Sequence, residues 1–465
     1  MPPIQERLSP LDSAFLELEQ ADDGAMMHTG AALIFDPEPG SGETPSLERL
    51  LRLLDQRLGL LPRFGCRLSE PRVHGLSRPM WVTDPAFDPR AHVRRAALPA
   101  PGGDAELHAW LGDFWSHRLD RARPLWEAVL VGGLEGGRWM LATKTHHAMV
   151  DGVGSVDIGH ILLDTEPHPV PRPAVAPDDL GQAGAGRLQP PAWLSPVIAA
   201  ANAAAGAARH PSRLMRAGEA ALAMGEAVWQ EEILPARHST LNVPIGTTRR
   251  FTSVPVELAG AKKIKQALGG TVNDVALAVA AGALRSLLER RGETLDRPLR
   301  AMVPVSLRGE DHASLGNQVS SLFVELPVGE PDLRRRYDQT RAAAAALKSG
   351  TAALGASTVL LVTGLAPPLL HHSIAQILYG SRLFNITITN VPGPQFPLYM
   401  LGARLRRILG LVPLASGHAI GIAIVSYDGE LVFGINADHA ATPDLHVLET
   451  ALRGEFAALL SLAEA

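Results

Sequence analysis

Residues 138–152 of the chain are Arg138-Trp139-Met140-Leu141-Ala142-Thr143-Lys144-Thr145-His146-His147-Ala148-Met149-Val150-Asp151-Gly152. Residues 138–145 read as a strand, and residues 126–131 read as another. Gly132-Gly133-Leu134-Glu135-Gly136-Gly137 joins the two as a hairpin loop. Past Gly152, the spacing of Val156, Ile158, Ile161, Leu162 and Leu163 predicts a helix. The His pair therefore sits where a strand hands over to a helix. Neighbouring side chains of a strand point to opposite faces, so only one of His146 and His147 can face a given cavity. A histidine just ahead of a helix N-terminus meets the positive end of the helix dipole, which disfavours imidazolium. The neutral ring that results is the form a general base needs.

Taken alone, the segment leaves other readings open. Two adjacent histidines at a strand end are often simply packed. The chain carries its own control: His371-His372 is followed by Ser-Ile-Ala-Gln-Ile, without Asp-Gly, and reads as structural. His147 with Asp151 could be metal ligands, but a third ligand is not evident nearby, and zinc sites normally need three from the protein. A nucleophilic serine is disfavoured because no Gly-x-Ser-x-Gly elbow occurs and Gly154-Ser155 lacks that frame. Cys66 has no recognisable catalytic frame, and no phosphate-binding loop of the Walker type is present.

Working outward, the chain of 465 residues is too long for one ordinary core and predicts two domains. A formal net charge of -5 supplies no overall basic field, so nucleic acid is not an expected partner. Cys66 is the only cysteine, which rules out an internal disulfide and a Cys-based zinc site and fits a reducing compartment. The start, Met-Pro-Pro-Ile-Gln-Glu-Arg, lacks the apolar core of a signal peptide. The expected location is cytoplasmic, with a peripheral surface at the inner membrane or at lipid droplets left open. Two uncharged stretches bear on that point. Residues 349–381 contain Pro367-Pro368 and His371-His372, and residues 408–427 are broken by Pro413 before reading as a buried strand.

The expected domains are residues 1–165, a Pro- and Ala-rich linker with crossover helices over 166–243, and residues 244–465. Ser9-Pro10-Leu11-Asp12 reads as a capped helix start, with a helix to about Gln20. Strands are expected over 27–35, 251–257, 299–306, 319–326 and 384–389. Helices are expected over 47–58, 105–119, 261–267 and 444–462. Gly269-Gly270 ends a helix, and Thr271-Val272-Asn273-Asp274 caps the next, which runs to about Arg290. Strands over 420–426 and 430–436 flank Asp428-Gly429, a hairpin signal. The fold class is α/β, with mixed sheets in two halves.

The segment from His146 to Gly152 resembles the HHxxxDG motif of the acyl-CoA-dependent acyltransferases, which include peptide-synthetase condensation domains. Five further blocks occur in order. They are Pro124-Leu125-Trp126-Glu127, Thr271-Val272-Asn273-Asp274-Val275, Met302-Val303-Pro304-Val305-Ser306-Leu307-Arg308, Leu315-Gly316-Asn317-Gln318-Val319 and Asn390-Val391-Pro392-Gly393-Pro394. Together they resemble the bacterial wax ester synthase/diacylglycerol acyltransferase family over nearly the whole chain, least over 166–242. The chain departs from the family pattern at Gly421-Ile422, where an Asn often precedes the isoleucine.

The resemblance implies two chloramphenicol-acetyltransferase-like domains with a channel between them. It implies transfer of a fatty acyl group from acyl-CoA to diacylglycerol or a long-chain alcohol. His147 would be the general base, His146 a support, and Asp151 a structural support that caps backbone N–H groups or pairs with Arg308. Asn273 would serve the oxyanion or the acceptor. Trp126, Gly152, Asn317 and Asn390 would line the substrate. No cofactor is implied, since acyl-CoA is a substrate, and no metal. Two alternatives stay in view: a related acyltransferase using another acceptor or a carrier-protein donor, and a non-catalytic lipid-binding member of the fold.

Overall fold

The computed structural model describes residues 4–38, 44–69, 79–149, 161–169, 236–306, 319–349 and 383–465. The first half contributes β1 (Gln5–Arg7), α1 (Pro10–Ala21), β2 (His28–Phe35), α2 (Leu47–Arg57), β3 (Cys66–Leu68), β4 (Met80–Thr83), β5 (Val93–Ala97), α3 (Asp104–Trp115), β6 (Trp126–Gly132) and β7 (Trp139–His146). The second half contributes β8 (Arg249–Glu257), α4 (Leu258–Leu268), α5 (Val272–Arg290), β9 (Leu299–Ser306), β10 (Val319–Leu326), α6 (Leu333–Ser349) and β11 (Ile386–Pro392). It ends with β12 (Tyr399–Met400), β13 (Ala403–Leu411), β14 (Ile420–Tyr427), β15 (Glu430–Asp438) and α7 (Leu445–Glu464).

Local chemistry accounts for the element ends. Ser9 caps α1: its hydroxyl accepts from the Asp12 N–H at 3.0 Å, and Asp12 reaches back to the Ser9 N–H at 3.3 Å. Pro10 stands at the first helical position, where its missing N–H costs nothing. Thr271 and Asp274 form the same reciprocal cap at α5. Asp428 and Gly429 both adopt positive φ, 42° and 86°, the twist a tight turn between β14 and β15 requires.

Two six-stranded sheets carry the chain. One has the order β10-β9-β11-β14-β15-β8 and the other β12-β13-β2-β7-β6-β5. Both are mixed: β11 runs parallel to β9 and β14, β5 runs parallel to β6, and the remaining neighbours are antiparallel. The mixed α/β class expected from the sequence is the observed one. A small third sheet, β1-β4-β3, stands apart. The second half does not keep to its own sheet. β13 crosses into the first, pairing antiparallel with β2 so that Ile408 faces Leu33 and Leu411 faces Gly30.

The apolar cores follow the sheets. α5 is buried along nearly its whole length from Val275 to Leu288, against Ile386, Ile388, Ile422, Ile424, Phe433 and Ile435. Leu33, Phe35, Trp126, Leu130, Trp139 and Leu141 fill one face of the other sheet. Some elements went unread in the sequence. β13 alternates buried Leu405 with arginines that pair with Asp428 and Glu430, which masks its strand character. α6 begins Leu333-Arg334-Arg335-Arg336 and shows little apolar signal; it is held by Arg336 to Glu455 and by the Tyr337 hydroxyl to the Gly269 carbonyl at 2.6 Å.

Among the described residues no single helix is long and apolar enough to cross a membrane. The bent pair α4 and α5 passes that test jointly, but α5 is core. Residues 408–427 are strand and connection, as part of them was expected to be. The stretch 349–381, His371-His372, Arg308 and most of the linker lie outside the described residues.

Candidate active site

β7 delivers the His pair to the end of its sheet. His146 is the last strand residue and is 1% exposed, whereas His147, the first residue past the strand, is half-buried; the turn, and not strand alternation, separates their settings. The backbone is pinned from both sides. The His146 N–H donates to the Leu125 carbonyl at 2.9 Å, and the His147 N–H donates to the Met27 carbonyl at 2.8 Å. The Met149 N–H then donates to the His146 carbonyl at 2.8 Å, which makes His147 the first central residue of a tight turn.

The His146 side chain closes that turn. The Ala148 N–H donates to His146 Nδ1 at 3.0 Å, so Nδ1 is an acceptor and the ring proton is carried on Nε2. His146 Nε2 lies 3.4 Å from a carboxylate oxygen of Glu19 on α1. The other Glu19 oxygen lies 3.1 Å from Nε2 of His28, the β2 residue directly opposite His146 in the antiparallel register. Arg121 Nη2 completes the cluster, 2.7 Å from Glu19 Oε2. One turn before Glu19, the Phe15 ring lies 4.3 Å from that of His147, tilted by 33°.

Burial and charge set the protonation states here. Burial would push the Glu19 carboxyl up, but the adjoining His146 and His28 rings outweigh it and hold the group far below the usual carboxylate range. Burial depresses the His28 imidazole to about 4, against the pull of Glu19, so this ring is uncharged near neutrality. Two residues before His146, the buried Lys144 Nζ donates to the Phe114 and His117 carbonyls at 2.9 and 2.6 Å and pairs with Glu127. Burial lowers its ammonium pKa.

Of the other residues singled out in the sequence, Trp126 lies beside the His pair, since its neighbour Leu125 holds the His146 N–H. Its own ring is 4% exposed, stacks on His92 at 4.7 Å and donates through Nε1 to the Phe64 carbonyl at 2.8 Å. Asn273 sits in the first turn of α5, where Asp274 does the capping and leaves the Asn273 amide for another partner. That partner is Asn390 on β11, whose Nδ2 donates to Asn273 Oδ1 at 2.9 Å. The structure thus joins two motif residues 117 positions apart in sequence. Asp151, Gly152 and Asn317 lie outside the described residues. Glu19, His28 and Arg121 were not singled out in the sequence. The only signal for Glu19 was its i,i+4 spacing from Phe15 on a capped helix. Among the described residues no group of three or more His, Cys, Asp and Glu could hold a metal ion.

Mixed sheets, a strand shared between the halves and a His pair at a strand end define an acyltransferase-type architecture, and solved structures share it. A wax ester synthase/diacylglycerol acyltransferase from Marinobacter aquaeolei VT8 is similar over 99% of this chain and 100% of its own, with a TM-score of 0.70 and 26% identity. The starter condensation domain of rhizomide synthetase, solved with C8-CoA and Leu-SNAC, shares the fold with a TM-score of 0.60 at 16% identity, covering 99% of this chain and 95% of its own. The family model for the wax ester synthase/diacylglycerol acyltransferase catalytic domain matches residues 8–276, and that for the WS/DGAT C-terminal domain matches residues 315–460. Two proteins of Mycobacterium tuberculosis named probable diacylglycerol O-acyltransferase are 30% and 34% identical, over 98% and 95% of this chain and 96% of each relative. The chain belongs to the wax ester synthase/diacylglycerol acyltransferase family and is an acyltransferase.

Proposed function

We propose that the chain transfers a fatty acyl group from acyl-CoA to diacylglycerol or a long-chain alcohol, with His147 as general base. The observation that carries this reading is the held turn at the end of β7, which leaves His147 half-buried while His146 is locked behind it. His147 takes the hydroxyl proton of the acceptor as the oxygen attacks the thioester carbonyl carbon. The carbon–sulfur bond then breaks, and the CoA sulfur leaves and recovers the proton from His147. A thiol ionises near pH 8.5, so the thiolate is a good leaving group and no covalent enzyme intermediate is needed. Both substrates must be held together for this, in a channel between the halves 1–165 and 244–465.

Asn273 donates to the developing oxyanion or to the acceptor, and Asn390 orients it. With Asn273 Oδ1 accepting from Asn390, the Asn273 amide nitrogen is directed away from that partner, and its donors remain for substrate. Trp126 supports the His pair, Asp151 braces the segment that follows it, and Gly152 and Asn317 border the substrate. The chain uses no cofactor, acyl-CoA being a substrate. Its acceptors reside in lipid, so contact with a membrane or droplet surface belongs to the same proposal. Leu60 and Phe396 are the exposed large apolar side chains among the described residues.

Ester formation from palmitoyl-CoA with hexadecanol and with dioleoylglycerol tests the reading. Turnover with either acceptor is expected, and His147→Ala abolishes it while the circular dichroism spectrum stays unchanged. A near-normal rate in His147→Ala overturns the base assignment. Absence of CoA release with every long-chain acceptor points instead to another acceptor, a carrier-protein donor or a lipid-binding role.

A further inference from the structure

We propose that Glu19 is a positioning residue for the reaction: anchored by Arg121 and His28, its carboxylate fixes the His146 ring, and through that ring the turn that presents His147. The inference rests on the reading of His147 as the base.

Glu19, His28 and His146 are 3%, 2% and 1% exposed, yet all three can carry charge. Burying a carboxylate is strongly unfavourable unless its oxygens are paired. Here Oε2 accepts from Arg121 at 2.7 Å and lies 3.4 Å from His146 Nε2, while Oε1 lies 3.1 Å from His28 Nε2. Arg121 also donates to the Leu16 carbonyl at 2.9 Å, so the guanidinium is tied to the helix that bears Glu19. Charge is thereby placed and held behind the candidate base.

The contacts have a direction. Because the Ala148 N–H occupies Nδ1 of His146, the ring proton is carried on Nε2, which lies 3.4 Å from the Glu19 carboxylate. The carboxylate orients the imidazole, the imidazole holds the Ala148 N–H, and His147 is the residue spanned between them. This is a side-chain-to-backbone closure two residues on, like an Asx-turn, with the histidine ring in place of the Asn amide. The same helix face bears on the base itself. Phe15 and Glu19 are four residues apart on α1, so they project side by side, one against the His147 ring and the other against the His146 ring. The capping box of Ser9 and Asp12 sets where that helix begins.

The test compares Glu19→Gln, which keeps the size and removes the charge, with His146→Asn. The latter keeps an acceptor for the Ala148 N–H and severs the link to Glu19. In steady-state assays with palmitoyl-CoA and dioleoylglycerol, both variants are expected to lose kcat by about 10- to 100-fold, as a displaced base would, with KM for palmitoyl-CoA within about twofold. Removing a nearby negative charge also makes the base harder to protonate. The acidic limb of kcat/KM against pH should therefore move down by roughly half a unit to one unit in Glu19→Gln. A general loss of fold would not move that limb. Wild-type kcat and an unmoved limb in folded Glu19→Gln overturn the proposal. If Glu19→Gln does not fold, His146→Asn decides: unchanged kcat overturns the proposal and the stated loss supports it. An inactive His147→Ala beside a fully active Glu19→Gln refutes this inference alone, whereas an active His147→Ala refutes the base assignment itself.

Discussion

Asn390 on β11 donates its side-chain N–H to the Asn273 carbonyl oxygen at 2.9 Å, tying a strand end to the first turn of α5. The bond gives the Asn273 amide one orientation. Asn390→Asp replaces the donor by an acceptor, so Asn273 should turn its NH2 towards the new carboxylate and away from substrate. A kcat loss of about 10-fold or more is expected, on the scale of a misdirected oxyanion donor. Asn390→Ala should lose less. Steady-state kinetics beside thermal melts would check this, and equal kcat in all three proteins would exclude an orienting role.

Gly421 lies on β14, one residue before the buried Ile422. A Cβ there would lie 2.8 Å from Val412 Cγ1 and 3.3 Å from Leu414 Cδ2. Gly421→Ala should therefore destabilise the fold by about 1–3 kcal/mol through overpacking. Val412→Ala made in the same chain should restore part of that loss, because the two changes share one contact. Urea unfolding of the single and double variants measures the coupling. Additive losses would mean that the strand shifts instead of meeting Val412.

Lys144 is fully buried beneath the His pair, with its ammonium satisfied by two carbonyls and Glu127. Lys144→Met removes the charge, leaves Glu127 with Arg94 alone and leaves the Phe114 and His117 carbonyls without this donor. A loss of roughly 3 kcal/mol in unfolding free energy is expected. Chemical denaturation followed by tryptophan fluorescence would measure it.

Acid should weaken the fold through His28. Burial holds the folded imidazole at about 4, below its ordinary 6.5. Between those values the unfolded chain binds the proton more readily than the folded one. The stabilising contribution is whole above pH 6.5 and is lost as pH falls through 4. His28→Gln removes the titration, so its melting temperature should drop less between pH 7 and pH 4, by on the order of a few degrees. Parallel slopes of wild type and variant over that range would contradict the assignment.

Cys66 should report on opening of the small sheet. It is buried, its thiol is pushed up by burial, and Sγ donates to the Pro62 carbonyl at 3.5 Å. A thiol reagent at pH 8 should label it slowly in the native protein and rapidly in urea. Fast native labelling would show that this region opens on its own.

Much of this protein was legible before any coordinate. The Ser9 and Thr271 caps, the Asp428-Gly429 turn, the strand leading into His146 and His147 and the buried helix from Val272 are all set by neighbours within a few residues. Capping and periodicity act at that range, and the sequence displays them directly. The order of motif blocks also pointed to the right family.

The surroundings of the His pair arise from long-range packing. That β2 lies beside β7 with His28 opposite His146 depends on register, which no local pattern specifies. That Glu19 turns inward, between two histidines and Arg121, depends on where α1 lands. β13 crossing to pair with β2, and Asn390 meeting Asn273, depend on contacts between parts of the chain more than a hundred residues apart. Local patterns of residues set the main helices and strands and put the histidine pair at a strand end. The long-range packing determined which charged groups hold that pair, because side chains distant in sequence become neighbours only when the sheets assemble.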